Sequence, residues 1–439
     1  MAGVNRLFGT DGVRGRANAD LTVEMALDLA RAAGESTGGP VIIGRDTRRS
    51  GPMFTAALHA GFSAVGVDTI DVGILPVGGV SRLIRQLDAP MGVMVSASHN
   101  PAHDNGIKFL GHNGGKLDDE QESVIETRYR RGAPWQHPDS ALIGLRMDLD
   151  DPVGRYVDNL AENVEYSLQG LEFVLDCANG AAYRAAPLLF ERLGAAVEVH
   201  ADGPDGLNIN AGCGATMPAF LAGMVKGRVG LAFDGDADRL IAVDENGVVA
   251  NGDVLMAVFA KHLKDTGKLK NNVVVTTVMA NLGFRRAMED LDIEVEETAV
   301  GDRYVYEGMR RVKAALGGEQ SGHIIFYRGT TGDGLRTAVR LAEVLAATGE
   351  PLAELRKIIT EYPQVLRNIP VADKGRLDTS AAIWDAVADA ERELGGDGRI
   401  LVRASGTEPL VRVMVEAPSA DSAEEMATAV GAVVAESLS

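Results

Sequence analysis

Cysteine is almost missing: Cys177 and Cys213 are the two in 439 residues, far apart and without metal-type spacing. That argues against a disulfide framework and leaves both as small thiols in or near a core. Long hydrophobic runs are missing too; nothing approaches the ~20 apolar residues that a membrane span needs. The N-terminus lacks the basic-then-apolar shape of a signal peptide, so the expected location is cytoplasmic, with no membrane partner. Basic charge is short as well. Lys+Arg number 43 against 62 Asp+Glu, a formal net charge of −19, which argues against nucleic acid or anionic lipid as a partner. An anionic substrate would have to be drawn in by local cations against the overall field.

Glycine is plentiful, 52 of 439 residues, above the roughly 7% norm, which fits many tight βα loops. The length suggests three or four domains. Hydrophobic content of 46% and 24% charged residues are those of an ordinary soluble globular protein. The order of elements repeats. Thr22 to Ala33 has helical spacing, Val41-Ile-Ile-Gly-Arg-Asp46 is a short buried strand, Pro52 to Val65 a helix, and Val67 to Val72 a strand. This is βαβ patterning, which predicts a parallel or mixed sheet. After a polar passage ending in Ala133-Pro-Trp-Gln-His-Pro138 and a boundary helix from Pro152 to Val164, strand–turn–helix–strand order recurs from Leu171 to Val199. It recurs again from Asn272 to Val300. The last seventy-odd residues read helix, strand, loop, strand, helix, a small α+β module joined near Glu361-Tyr-Pro363.

Four loops carry chemistry. Met91 to Val95 has strand length and composition and ends in Ser96-Ala-Ser-His-Asn-Pro101. Ser98 has His99 beside it and Lys108 ten residues on, so it is a candidate nucleophile; Ser96, Ser98 and Asn100 are equally ordinary turn formers. Asp234-Gly-Asp-Ala-Asp-Arg239 follows an apolar strand. Its small spacers let three carboxylates converge, and like charges so crowded repel unless a cation joins them. Oxygen ligands from a short loop suit Mg²⁺, and the twelve-residue EF-hand pattern is missing. Arg239 adds a phosphate-shaped fork. Gly318-Glu-Gln-Ser-Gly-His323 places Glu319 and Ser321 between glycines, as hydroxyl-binding groups or as a plain polar turn, with Arg303 upstream and His323 entering the next strand. Arg403-Ala-Ser-Gly-Thr-Glu-Pro409 with Arg412 combines two guanidiniums with two hydroxyls, the ingredients of a phosphate cradle or of a Ser/Thr-capped turn. Near the N-terminus, three glycines around Arg14 hold its guanidinium out for phosphate or for solvent.

Together with Gly9-Thr-Asp-Gly-Val-Arg-Gly15, these strings resemble the signature loops of the α-D-phosphohexomutase superfamily, in the family's order and spacing. Pro204 to Gly214, Val300 to Tyr304, Thr330 to Gly334 and Tyr362 to Leu366 are similar to its bacterial phosphoglucosamine mutase branch. The likeness covers nearly the whole chain. It implies an α/β fold of three similar mixed-sheet domains plus a smaller C-terminal α+β domain around a central cleft. The corresponding segments are 1–150 (phosphoserine), 151–248 (metal), 249–362 (sugar recognition) and 363–439 (phosphate). The activity implied is interconversion of glucosamine 6-phosphate and glucosamine 1-phosphate, with a small-molecule sugar phosphate as partner and a hexosamine 1,6-bisphosphate as intermediate and activator. Ser98 would carry a phosphoryl group, whose oxygen would join Asp234, Asp236 and Asp238 around one Mg²⁺ per chain. Arg403, Ser405, Gly406 and Thr407, with Arg412, would hold the non-reacting phosphate. Glu319 and Ser321 would read sugar hydroxyls, and Arg239 and Arg303 would add positive charge. Arg14, Lys108 and His323 would serve proton transfer and charge stabilisation, with His99 a neighbour of the phosphate.

Two departures stand out. Ala237 occupies a spacer where many members have glycine, a small change there. Ala215 and Met217 replace the Ser and His common in the branch, which puts that loop's role in doubt. The rival readings are a sister mutase acting on glucose or mannose phosphate, a phosphatase that never completes the return transfer, and a silent sugar-phosphate binder. A homodimer is left open.

Overall fold

The computed structural model describes residues 6–9, 11–135, 137–405 and 409–439. The chain divides into two compact units, Met1–Val278 with Glu294–Lys357, and Met279–Ile293 with Ile358–Ser439.

In the larger unit the first sheet has six strands in the order Val13–Arg16, Asp104–Gly111, Met91–Val95, Val41–Arg45, Thr69–Ile74, Arg146–Asp148. Val41–Arg45 runs parallel to both Thr69–Ile74 and Met91–Val95. Every residue of Met91–Val95 is buried, as the near-continuous apolar run of a strand covered on both faces requires. Helices Val23–Gly34 and Gly51–Ala64 share a core with Val41, Ile43 and Val93. Helix Val77–Gln86 lays Val80 and Ile84 over Gly44 and Gly92, whose positions alternate with those three residues and so face the other way.

The second sheet has the order Val249–Ala250, Leu240–Val243, Val229–Phe233, Glu172–Asp176, Ala196–His200, and the third Glu294–Thr298, Val273–Thr277, Leu316–Gly318, Ile324–Phe326. The three sheets share a device that the strand–helix–strand repeat in the sequence does not reveal. Each has a strand that pairs in parallel with one neighbour and then turns back into an antiparallel partner. The pairs are Met91–Val95 with Asp104–Gly111, Val229–Phe233 with Leu240–Val243, and Leu316–Gly318 with Ile324–Phe326. The serine, aspartate and glutamate loops are these three turns.

In the smaller unit Gln364–Pro370, Leu410–Glu416 and Arg399–Ala404 form an antiparallel sheet in that order. Val411, Val413 and Val415 form its core with Ile383 from helix Ala381–Leu394 and Val430 from helix Ala420–Ser437. Helix Leu282–Asp290 belongs to the same unit. The tie is Glu416, fully buried at the end of the central strand. Its carboxylate accepts from Arg399 Nε at 2.6 Å, the Leu282 amide at 2.9 Å and Gln364 Nε2 at 3.1 Å. Glu416→Ala removes the carboxylate partner of the Arg399 guanidinium and the acceptor of the first amide of that helix. Loss of one partner of a buried ion pair costs about 3–5 kcal/mol, so a clear drop in the denaturant midpoint of this unit is expected; a midpoint equal to wild type would show that Glu416 is not its tie.

Candidate active site

Ser98 lies in the turn between two paired strands, with left-handed backbone (φ 51°). A non-glycine residue there is uncommon and is kept only where its surroundings over-determine it. Here they do. The Ser98 amide donates to Ser96 Oγ at 2.9 Å, and Ser96 Oγ donates to Asp46 Oδ2 at 2.6 Å. Arg48, fully buried, ion-pairs with Asp46 at 2.9 Å and gives Nη2 to the carbonyls of Ser98 (2.9 Å) and Asn100 (2.8 Å). Its Nη1 reaches the carbonyls of Pro101 and Asp104. Asn210 Nδ2 donates to the Ser98 carbonyl as well, at 2.9 Å. One guanidinium therefore gathers four carbonyls of the turn. Arg48, Asp46 and Asn210 were not singled out from the sequence. The available signal was Arg45-Asp-Thr-Arg48, polar and charged directly after a buried strand of a parallel sheet, the end at which such sheets place their sites.

The aspartate loop closes on Ser98 from the second sheet. Asp234, Asp236 and Asp238 are all buried, with a carboxylate oxygen from each within 4.8 Å of the others. Ser98 Oγ donates to Asp234 Oδ2 at 2.5 Å. At Gly235 a Cβ would lie 2.4 Å from the Ser98 carbonyl oxygen, so only glycine lets the two loops meet this closely. Burial, reinforced by Asp238 and Asp236, pushes the Asp234 carboxyl well above its ordinary pKa. Asp236 Oδ1 and Asp238 Oδ1 are buried without a hydrogen-bond partner among the described residues. Crowded hard oxygens with unsatisfied lone pairs are a donor set that fits a hard divalent cation. The spacer Ala237 is buried with φ 56°, so its methyl sits where an L-residue is strained by roughly 1–2 kcal/mol.

The cations expected near Ser98 are present, but each is matched. Lys108 Nζ lies 2.7 Å from Asp236 and 2.8 Å from Asp11. Burial alone would lower its pKa, yet these two carboxylates raise it, so it is held as an ammonium. Arg14 pairs with Asp11. Lys116 bridges Asp11 and Asp302. Gly12, at φ 78°, is the turn that sets Arg14 and Asp11 here; its missing Cβ would be 2.4 Å from the Ile107 carbonyl. Arg239 Nε is 3.8 Å from Asp238 and 4.0 Å from Asp234. Arg303 is drawn instead to Asp119 (2.8 Å) and Glu307 (3.0 Å). A buried ammonium or guanidinium needs a counter-ion, and the cations around Ser98 have carboxylates beside them. Asp11, Lys116 and Asp302 complete this network; Asp11 and Asp302 stood inside stretches already quoted, without a spacing that marked them.

Two histidines flank the loops. His99 Nδ1 is 3.3 Å from Ser98 Oγ. Burial, then the charges of Arg239 and Arg14, lower its imidazole to about 4, so it is neutral. Because the serine proton goes to Asp234, the contact calls for Nδ1–H donating to Oγ. His323 is buried, with Nδ1 3.3 Å from Asp238. Burial would depress it, but Asp238, Asp302 and Glu319 raise it to about 9. The Gly332 amide points at Nε2 from 2.8 Å; only the neutral ring, with its one proton on Nδ1, can accept that bond, whereas the carboxylates favour the doubly protonated ring. Glu319 accepts from the Gly301 amide at 3.1 Å, and burial raises its pKa. Ser321 Oγ is buried with no partner among the described residues. An antiparallel bridge between Arg239 and His323 joins the aspartate and glutamate loops.

In the smaller unit Arg403 and Arg412 are directly opposite across paired strands. Burial, and then Arg412, lower the pKa of Arg403. Like charges so placed destabilise a sheet unless an anion lies between them. Ser405 is buried, its amide bonded to the Leu410 carbonyl at 2.9 Å. Gly406 and Thr407 lie outside the described residues.

Four family models cover this chain. The phosphoglucomutase/phosphomannomutase alpha/beta/alpha domains I, II and III match residues 5–134, 154–247 and 251–362, and the C-terminal domain matches 366–432. The chain belongs to the phosphoglucomutase/phosphomannomutase family. It is 50% identical over 421 residues to a phosphoglucosamine mutase of Desulforamulus reducens, covering 94% of this chain and 95% of that one. A phosphoglucomutase/phosphomannomutase family protein of Burkholderia thailandensis superposes with a TM-score of 0.82 at 25% identity, covering 98% and 97% of the two chains. An Aspergillus fumigatus N-acetylphosphoglucosamine mutase, solved in complex with GlcNAc-6P and magnesium, shares the fold at a TM-score of 0.70 and 19% identity, covering 99% and 96%. The expected fold, three mixed α/β sheets and a smaller C-terminal sheet, is what this family has and what the chain forms.

Arg48→Met removes the buried guanidinium and leaves Asp46 uncompensated. The expected cost is about 3–5 kcal/mol, measured by chemical denaturation. Arg48→Lys should fall between, because one ammonium cannot reach four carbonyls as the planar fork does. Wild-type stability in both variants would remove Arg48 from its role in shaping the Ser98 turn.

Proposed function

We propose that the protein is an intramolecular phosphotransferase that interconverts glucosamine 6-phosphate and glucosamine 1-phosphate, with Ser98 as the phosphoryl carrier. The observation that carries this is the buried serine hydroxyl 2.5 Å from Asp234 in a carboxylate triad with unsatisfied oxygens. A turn-forming serine has no need of such a neighbour. Identity of 50% to a phosphoglucosamine mutase supports the amino sugar over glucose or mannose phosphate. The product would feed amino-sugar nucleotide (UDP-N-acetylglucosamine) and cell-wall synthesis, in the cytoplasm; no helix among the described residues is long and apolar enough to cross a membrane.

Phosphoryl transfer asks for positioning and charge neutralisation more than for covalent help. Asp234, Asp236 and Asp238 would hold one Mg²⁺ with an oxygen of phospho-Ser98, and the ion when bound withdraws charge from the transferring group. The Ser98 O–P bond breaks as a bond forms from phosphorus to the sugar hydroxyl oxygen, whose proton leaves. This yields the 1,6-bisphosphate and a free Ser98. The bisphosphate then turns end for end, and its other phosphate returns to Ser98, which regenerates the enzyme. Arg48 and Asn210 keep the Ser98 turn in place through both halves. Lys108, held as an ammonium, and Arg239 offset the developing negative charge. Lys108, as an ammonium, would give a proton to the departing Ser98 Oγ and regain one from the sugar hydroxyl, with Arg14 and His323 assisting proton transfer and charge stabilisation beside it. His99, neutral and hydrogen-bonded to Oγ, is a neighbour rather than an activating base. Glu319 and Ser321, whose hydroxyl is unsatisfied, would read sugar hydroxyls. Arg403, Ser405, Gly406, Thr407 and Arg412 would hold the non-reacting phosphate, whose charge relieves the arginine pair. The four segments 1–150, 151–248, 249–362 and 363–439 would then contribute phosphoserine, metal, sugar and phosphate sites in turn.

Intact-mass and peptide mapping should place a phosphate on Ser98, and Ser98→Ala should lower kcat by at least about 10³-fold; retained activity in that variant would sink the assignment. kcat/KM for glucosamine 6-phosphate should exceed that for glucose 6-phosphate, and the reverse order would favour the sister mutase. Mg²⁺ should raise the Tm of the wild type by mass action but not that of Asp236→Asn. An equal rise in both would place the ion elsewhere.

A further inference from the structure

The larger unit holds a second concave site that shares no lining residue with the serine, aspartate or glutamate loops. It is a cavity of about 830 Å³ among helices Val77–Gln86, Pro152–Ala161, Gly252–Asp265 and Gly334–Thr348 and the strand end at Phe326–Tyr327. That size is in the range of organic ligands and larger than a single phosphate needs. Its wall is apolar where Phe259, Leu263, Val339 and Val344 contribute, and its remaining lining is strongly basic.

The cations fall into two sets. Arg82 is paired with Asp333 (3.2 Å), Lys268 with Glu165 (2.5 Å) and Arg340 with Glu343 (2.5 Å). Arg85, Lys270, Arg328 and Arg336 have no carboxylate within 4.0 Å among the described residues. In a chain of net charge −19, four unmatched cations around one cavity are the opposite of the arrangement at Ser98. They also converge. Arg85 Nη1 donates to the Arg328 carbonyl at 2.9 Å, and Arg336 Nη2 to the Tyr327 carbonyl at 2.9 Å. Lys270 Nζ stands 3.3 Å from the Tyr327 ring centre, and Arg336 5.5 Å from that of Phe326. Arg328 is in the left-handed region at φ 65°, a strain that proteins keep at ligand-binding turns. Burial, then Arg82, lower the pKa of Arg336 by more than Asp333 raises it.

We propose that this cavity is a binding site for a nucleoside diphosphate, its phosphates held by Arg85, Arg328 and Arg336 and its base against the Phe326, Leu263 and Val339 wall. The fork geometry of three arginines suits phosphate oxygens, and the volume and apolar wall call for a body beyond the phosphates.

Isothermal titration of the full chain with UDP and with ADP tests this, with pyrophosphate and uridine as part-ligands. At least one diphosphate should bind saturably, about tenfold or more tighter than pyrophosphate or uridine alone. Arg85→Glu combined with Arg328→Glu, both on exposed side chains, should weaken that binding by at least about tenfold, with Tm and the mutase kcat/KM unchanged. Lys270→Glu is a second, independent variant expected to weaken it in the same direction. No saturable binding up to about 1 mM, equal affinity in the charge-reversed variants, or displacement of the nucleotide by glucose 1,6-bisphosphate would each overturn the proposal. Pyrophosphate binding as tight as UDP would overturn the nucleotide assignment and leave a simple polyphosphate site.

Discussion

Three carboxylates buried at one strand end, with a serine hydroxyl against them, set the terms for everything around them. Burial disfavours each charge, and each charge disfavours the next, so Asp234 is pushed far up its scale. Asp238 is nevertheless held down, because the His323 imidazole, Lys108 and Arg239 outweigh its burial. Such a cluster is stable only with positive charge close by, and the chain supplies it in fixed, paired positions: Lys108 between Asp236 and Asp11, Lys116 between Asp11 and Asp302. The result is a polar network with few freely moving charges, suited to a reaction whose main demand is preorganised electrostatics.

Holding the serine still is a separate task, and a different ion pair performs it. Asp46 and Arg48 carry no substrate-facing group, yet they order the backbone of the Ser98 turn by its carbonyls and, through Ser96, by its amide. The close approach at Gly235 then fixes how near the aspartate loop can come. The arrangement separates two functions that a single charged residue would compromise. The Arg48 guanidinium, buried beneath the turn, shapes it through its carbonyls.

Charge is distributed unevenly across the molecule. Around Ser98, cations and carboxylates are matched. In the smaller unit, Arg403 and Arg412 sit opposite each other in register, and in the larger unit's second cavity four cations have no carboxylate partner among the described residues. The net charge of −19 thus conceals local positive sites, and these are where a phosphate-bearing ligand would gain most.

Much of this was legible in the chain alone. Buried strands such as Val41–Arg45 and Met91–Val95 announce themselves as short apolar runs, and the helices flanking them by their periodicity. Helix Gly252–Asp265 did not: Val254 to Ala260 is buried without a break, so no amphipathic stripe marks it. The short signature loops named Ser98, the three aspartates, Glu319 and the arginine cradle, because each is a compact string of functional groups at a strand end. Arg48, Asn210, Lys116, Asp11 and Asp302 came only from the fold, since they act through partners tens to hundreds of positions away. So did the parallel-then-antiparallel turn repeated in three sheets, the helix at Leu282 that belongs with the C-terminal unit, and the second cavity. Local sequence determines which groups are present and which backbone they favour. Which charges face one another, and which are left without a partner, depends on long-range contacts that no local pattern encodes.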